Sequence, residues 1–289
     1  MRPDVCVAVS ALGFAITASS LAAQQTPLRF GPTAGTVVHT LTEVRTVTTL
    51  FGFPALPDGA AFEHDRRVSA TQRVVAAEEG GWTVAVEIDS VRARRRAPEG
   101  AWLAVVDTGS VGQPVRLVMT PRFAMAAVHT AIAADHDVLR VMGAWVAGRG
   151  FAFPEGPVAA GGTFETGSAF RFVAALIPEQ GMTLRVPLSG PVLMQVDSVV
   201  ANESDEVTYL SFTGSFAPET VATGGEAGNA QSSLAGGYAG RLIWSRGWNA
   251  FVSGVVRVRV EGQVTAESAA GAFSGHVQWE ATITHQVRF

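Results

Sequence analysis

Toward the end of the chain, apolar and polar residues alternate at almost every step. Phe273, Gly275, Val277, Trp279, Ala281, Ile283, Val287 and Phe289 interleave with Ser274, His276, Gln278, Glu280, Thr282, Thr284, Gln286 and Arg288, and only His285 interrupts the apolar series. Just before this run, Val256, Val258, Val260 and Val264 alternate with Arg257, Arg259, Glu261 and Gln263. A period of two puts successive side chains on opposite faces, so these runs predict strands of a sheet with one apolar and one polar face. Trp82, Val84, Val86 and Ile88 give a third such strand, and further strands are expected at 36–50, 66–77, 101–106, 114–120, 165–175, 182–201, 206–214 and 238–246. Turn residues fall between paired runs, at Glu79-Gly80-Gly81 and at Asn202-Glu203-Ser204-Asp205, so the strands read as antiparallel meanders.

The pattern occurs twice. Arg116-Leu117-Val118 returns as Arg241-Leu242-Ile243, and Val74-Val75-Ala76-Ala77-Glu78 returns as Val199-Val200-Ala201-Asn202-Glu203, both 125 positions on (241 less 116, 199 less 74). The openings match more loosely, with Gly35-Thr36 echoed by Gly162-Thr163. Self-similarity at a fixed spacing is a statement about architecture. It predicts an all-β fold of two tandem meander repeats, at 24–123 and 151–289, forming curved sheets or a half-barrel.

Two segments depart from the strand pattern. Val128, Ile132, Leu139, Met142 and Val146 recur at helical spacing, which predicts one linking helix over 124–150, with His129, His136 and Arg140 on another side. Asp135, Asp137 and Arg140 rule it out as a transmembrane helix. The second segment, 217–237, is rich in Gly, Ala, Ser and Thr and reads as a mobile loop.

Composition narrows the class. Residues 1–23 carry Arg2, an apolar stretch from Val5 to Ile16 and a small-residue end at Ala22-Ala23, the layout of a secretory signal peptide. A periplasmic or secreted protein is the expectation. The single cysteine, Cys6, lies inside that segment, so the processed chain would hold no thiol. The net charge of −4 offers no electrostatic case for nucleic acid. Arg92, Arg94, Arg95 and Arg96 form the one basic cluster, ahead of the turn signal Ala97-Pro98-Glu99-Gly100, and read as a solvated hairpin end.

The sharpest chemical motif is Val105-Val106-Asp107-Thr108-Gly109-Ser110, which resembles the catalytic turn of aspartic proteases. Those enzymes need two facing aspartates. The repeat offers no second copy, since the matching position is Ser232, so Asp107 could work only in a dimer; a hairpin turn, whose Asp bonds its own backbone and whose Gly takes positive φ, accounts for the motif with nothing more. His129 and His136 are candidate metal ligands, but two helical turns would separate them by about 10.5 Å, too far to share one ion. Glu63-His64-Asp65 reads as a solvated loop. No cofactor fingerprint is present.

Phe30 to Gly35, the mid-chain phrase Pro154-Glu155-Gly156-Pro157-Val158 leading to Phe164, and the closing Gly240-Arg241-Leu242 strand with its long hairpin resemble a family of uncharacterised exported bacterial β-proteins, a domain-of-unknown-function group. The chain is also similar in shape to periplasmic lipoprotein carriers, whose curved sheet and helix enclose an apolar ligand. The resemblance implies a non-enzymatic envelope or secreted protein, with an apolar small molecule or an envelope component as partner. A different class, the outer-membrane β-barrel, is suggested by the alternating C-terminal strand ending in Phe289; 2 Tyr are few for its aromatic girdles.

Overall fold

The computed structural model describes residues 25–53, 58–78, 80–106, 111–112, 114–130, 152–177, 182–201, 203–225, 228–268 and 271–288. Fourteen strands and no helix occur among them: β1 Gln25–Thr26, β2 Val37–Phe51, β3 Ala60–Glu78, β4 Gly81–Arg96, β5 Leu103–Val105, β6 Pro114–Met119, β7 Met125–Thr130, β8 Val158–Ala159, β9 Thr163–Ile177, β10 Met182–Ala201, β11 Glu206–Gly225, β12 Gly228–Ser245, β13 Ala250–Ser268 and β14 Gly271–Arg288. β1 and β8 pair as a small separate ribbon. The other twelve form one antiparallel sheet in the order β7-β6-β4-β3-β2-β14-β13-β12-β11-β10-β9, with β5 paired to β4. The sheet is not closed into a barrel among the described residues.

The repeat is visible in this order. β7-β6-β4-β3-β2 of the first copy is followed, beyond β14, by β13-β12-β11-β10-β9 of the second in the same spatial sense. Local geometry repeats as well. Gly35 and Gly161 both have positive φ (88° and 80°), and each leads into the first strand of its copy. The Gly35 N–H donates to Val74 O at 2.8 Å, and the Gly161 N–H donates to Val196 O at 2.7 Å. β3 carries a bulge just after Val74 and β10 one just after Val196. Both copies therefore belong to one continuous sheet, joined where β14 pairs with β2, from His276·Phe51 to Arg288·His39.

The sheet is strongly curled. The turn between β6 and β7 stands six strands from the β12–β13 turn, a separation of about 28 Å if the sheet were flat. Phe123 in the first turn nevertheless lies 5.4 Å from the Trp244 ring and 5.3 Å from the Phe251 ring of the second. Glycines permit the bending. A Cβ on Gly236 would sit 2.1 Å from Arg259 O, and one on Gly262 would sit 2.0 Å from Ser233 O, so only glycine fits where β12 and β13 coil around each other.

Two expectations are corrected, and a third is overturned at its start. The linking helix is not found: Met125–Thr130, inside its expected span, forms strand β7, and residues 131–151 lie outside the described residues. Val128 pairs across to Leu117 on β6. The expected loop 217–237 instead belongs to β11 and β12, with Thr220 opposite Ser233 and Ala222 opposite Gln231. Small side chains there suit a tightly bent sheet rather than an unpaired segment. Glu63-His64-Asp65 lies within β3, opposite Arg96, Arg95 and Arg94. Those arginines close β4 at an exposed hairpin end, as expected, ahead of a turn closed by the Gly100 N–H donating to Ala97 O at 3.1 Å.

Candidate functional site

Register and burial separate the two faces of the sheet. Val68, Ala70, Val74, Val84, Val86, Ile88, Val115, Leu117, Val256, Val258, Val260, Val277, Ala281 and Ile283 are buried and belong to one hydrophobic cluster. Their strand neighbours, among them Glu43, Arg67, Glu87, Arg257, Arg259 and Glu280, are exposed. The curl has thus turned the apolar face inward and left the charges outside.

One end of the curl is stopped by aromatic rings. Phe123 stacks on Phe153 at 5.4 Å, Phe153 meets Trp244 at 4.8 Å, Trp244 meets Phe251 at 5.1 Å, and Phe30 bridges Phe123 and Trp82 at 5.4 Å each. Backbone bonds tie the incoming segments to this plug. The Phe30 N–H donates to Pro121 O at 2.8 Å, the Phe153 N–H to Arg122 O at 2.6 Å, and the Gly31 N–H to Asn249 Oδ1 at 2.8 Å. Phe123 adopts φ 61°, a conformation costly for a bulky residue, and the turn hydrogen bond from its N–H to Thr120 O at 2.9 Å together with the rings of Phe30, Phe153, Trp244 and Phe251 holds it there.

The inner wall is not wholly apolar. Thr40, Thr42, Arg66, Ser232 and His285 are all buried on it. Thr42 and His285 are cross-strand partners, with Oγ1 and Nδ1 3.1 Å apart. Desolvation pushes the His285 imidazole down to about 4, against a weaker opposing backbone hydrogen bond with Phe251. It is therefore neutral at ordinary pH. Ser232 Oγ has no hydrogen-bond partner among the described residues. Buried polar atoms such as these can solvate a polar atom of a guest.

The outer face near the far ends of β3 and β4 carries an ion-pair ladder. Arg94 donates to Asp65 Oδ2 through Nε at 3.0 Å and Nη2 at 2.7 Å, Arg45 donates to Glu63 Oε2 at 3.0 Å, and Arg96 pairs with Glu63. The Arg96 hydrogen bond, with Arg45 adding to it, holds the Glu63 carboxyl below its usual range. Trp102 lies under both guanidinium groups, 4.3 Å from Arg94 and 5.1 Å from Arg96. Farther round the same face, a shallow groove of about 820 Å³ runs over Ala235, Gly237 and Ala239, beside Arg259, which is paired with Glu261 at 3.3 Å and Glu280 at 3.8 Å.

Of the residues singled out by motif, His129 is an exposed residue of β7 opposite Arg116. Asp107 and His136 lie outside the described residues, as does the segment 1–23. Among the described residues no helix is long and apolar enough to cross a membrane, and no group of three or more His, Cys, Asp or Glu side chains could hold a metal. Sequence reasoning missed the plug, because Phe30, Phe123, Phe153 and Phe251 are distant in the chain and only the curl brings them together. No protein-family model matches the chain, and no curated protein matches it.

Proposed function

We propose that this chain is an exported, non-enzymatic β-sheet protein that takes up an apolar ligand against the inner wall of its curled sheet. The observation that carries the reading is the wall itself: a continuous apolar surface turned inward by the curl, stopped at one end by aromatic rings and studded with buried polar side chains such as Ser232. Binding sites for small apolar molecules share that make-up, an apolar lining with a few placed polar groups. An outer-membrane barrel requires the reverse arrangement, with apolar residues facing lipid and polar ones facing the lumen. The exposed charges of Arg257, Arg259 and Glu280 therefore weigh against it.

The test uses the intact processed protein with N-phenyl-1-naphthylamine as probe. Saturable uptake with one site per chain, displaced by a long-chain fatty acid and accompanied by excitation transfer from tryptophan, supports the reading. Uptake that never saturates, together with an adduct-free mass on native mass spectrometry of protein from its own source, overturns it.

A further inference from the structure

The strand ends farthest from the aromatic plug carry a surface unlike the rest of the molecule. β4 runs from Gly81, beside the plug, to Arg96, about 50 Å away at strand rise. At that far end the chain turns through Ala97–Gly100 into β5, which pairs back with Leu103 opposite Arg95 and Ala104 opposite Arg94. Leu103 is 57% exposed and Val106 84%, the two most exposed large apolar residues among those described. Arg92 and Arg95 are exposed beside them and form no ion pair among the described residues.

Charge adds to this. The hairpin end itself, residues 92–106, carries four arginines, Arg92, Arg94, Arg95 and Arg96, against the one carboxylate Glu99, in a chain of net charge −4. The ladder fixes Arg94 and Arg96 against Asp65 and Glu63 and clamps Trp102 beneath them, so the rim is held in shape.

We propose that this rim docks on the surface of an anionic lipid bilayer, with Leu103 and Val106 entering the interfacial region and Arg92 and Arg95 meeting lipid phosphates. Stable attachment to a bilayer takes two signals, a modest apolar insertion and a basic patch, and the rim supplies both within fifteen residues of sequence. An acidic protein partner would pair with the arginines but would not require Val106 to stand free. The site goes beyond ligand uptake by the inner wall and does not depend on it.

The experiment is co-sedimentation of the full-length processed protein with vesicles of phosphatidylcholine, alone or containing a third phosphatidylglycerol. The expected result is partition to the anionic vesicles that weakens with added salt and is nearly absent with phosphatidylcholine alone. Arg92→Gln with Arg95→Gln should lower the partition coefficient about thirtyfold. Val106→Asp should abolish binding, while Val255→Asp, an exposed apolar position on β13, should leave it intact. All these positions are at the surface, and an unchanged melting temperature confirms that each variant folds. Equal binding to both vesicle types, no binding to either, or full binding by the double arginine variant overturns the proposal. Because no apolar probe enters this assay, its outcome is independent of uptake by the inner wall.

Discussion

Tyr238 lies over Gly214 on the neighbouring strand, and its hydroxyl donates to the carbonyl of Pro191 one strand farther on at 3.0 Å. A Cβ on Gly214 would fall 2.2 Å from the tyrosine Cζ and Oη, so the contact exists only because that residue is glycine. The relation is reciprocal, since Phe212 on β11 covers Gly240 on β12 in the same way. Aromatic side chains laid over strand glycines replace the packing that glycine lacks and pin the register of a bent sheet.

Gly214→Ala should therefore destabilise the protein by about 1–3 kcal/mol, the usual cost of forcing extra volume into a packed site. In a Tyr238→Leu background the same change should cost clearly less, a coupling that a double-mutant cycle in chemical denaturation would read. Additive effects would show that the ring does not occupy the space over Gly214. Tyr238→Phe removes only the bond to Pro191 and should cost about 1 kcal/mol.

His285 makes a prediction about acid. Its pKa is depressed from 6.5 unfolded to about 4 folded, so between those values the unfolded chain binds a proton that the folded chain refuses. The stabilisation is complete above pH 6.5 and lost progressively as pH falls to 4, a change of about 3 kcal/mol. Comparing unfolding free energies of wild type and His285→Asn across that window isolates this histidine from the carboxylates, whose losses begin lower. Parallel curves would mean that the imidazole charges freely in the folded protein.

Phe123 reverses a common rule. Replacing a buried phenylalanine by alanine costs about 3–5 kcal/mol, and both Phe123→Ala and Phe123→Gly lose the ring. At φ 61°, however, glycine is unstrained and alanine is not. Phe123→Gly should thus be the more stable of the two by about 1 kcal/mol, measured as a higher denaturation midpoint. The opposite order would place the turn in another conformation.

The ladder on the outer face should contribute little to stability. Arg94 is 56% exposed at its side chain, and exposed ion pairs are worth about 0.2–1 kcal/mol, less in salt. Arg94→Gln should shift the melting temperature only slightly, and the shift should shrink at high ionic strength.

Much of this architecture was legible in the order of residues. The span 182–201 was expected as a strand and is β10, and the alternations around Val258 and Val277 mark the buried face of β13 and β14. Where reading failed, the missing information was non-local. Nothing near Glu63 or Asp65 announces the arginines opposite them until the β3–β4 register is known. The weak apolar patterns of β2 and β3 have the same origin, because Thr40, Thr42 and Arg66 occupy inward positions that a clean alternation would have given to valine. The glycine-rich β11–β12 hairpin misled through composition: small residues that usually mark loops here permit close strand packing. His285 was visible as the one polar residue in an apolar run, but its neutral state follows from burial beside Thr42, which is 243 residues away in the chain.

That last distance carries a consequence for how the molecule comes into being. Among the described residues the two halves become one sheet only through β2 and β14, so the seam cannot form until the 18-residue β14 has been made, long after β2. Joining ends so far apart is slow, because the chain entropy of a very long loop must be overcome before any contact rewards it. Until then each half displays an apolar face that the other half has yet to meet.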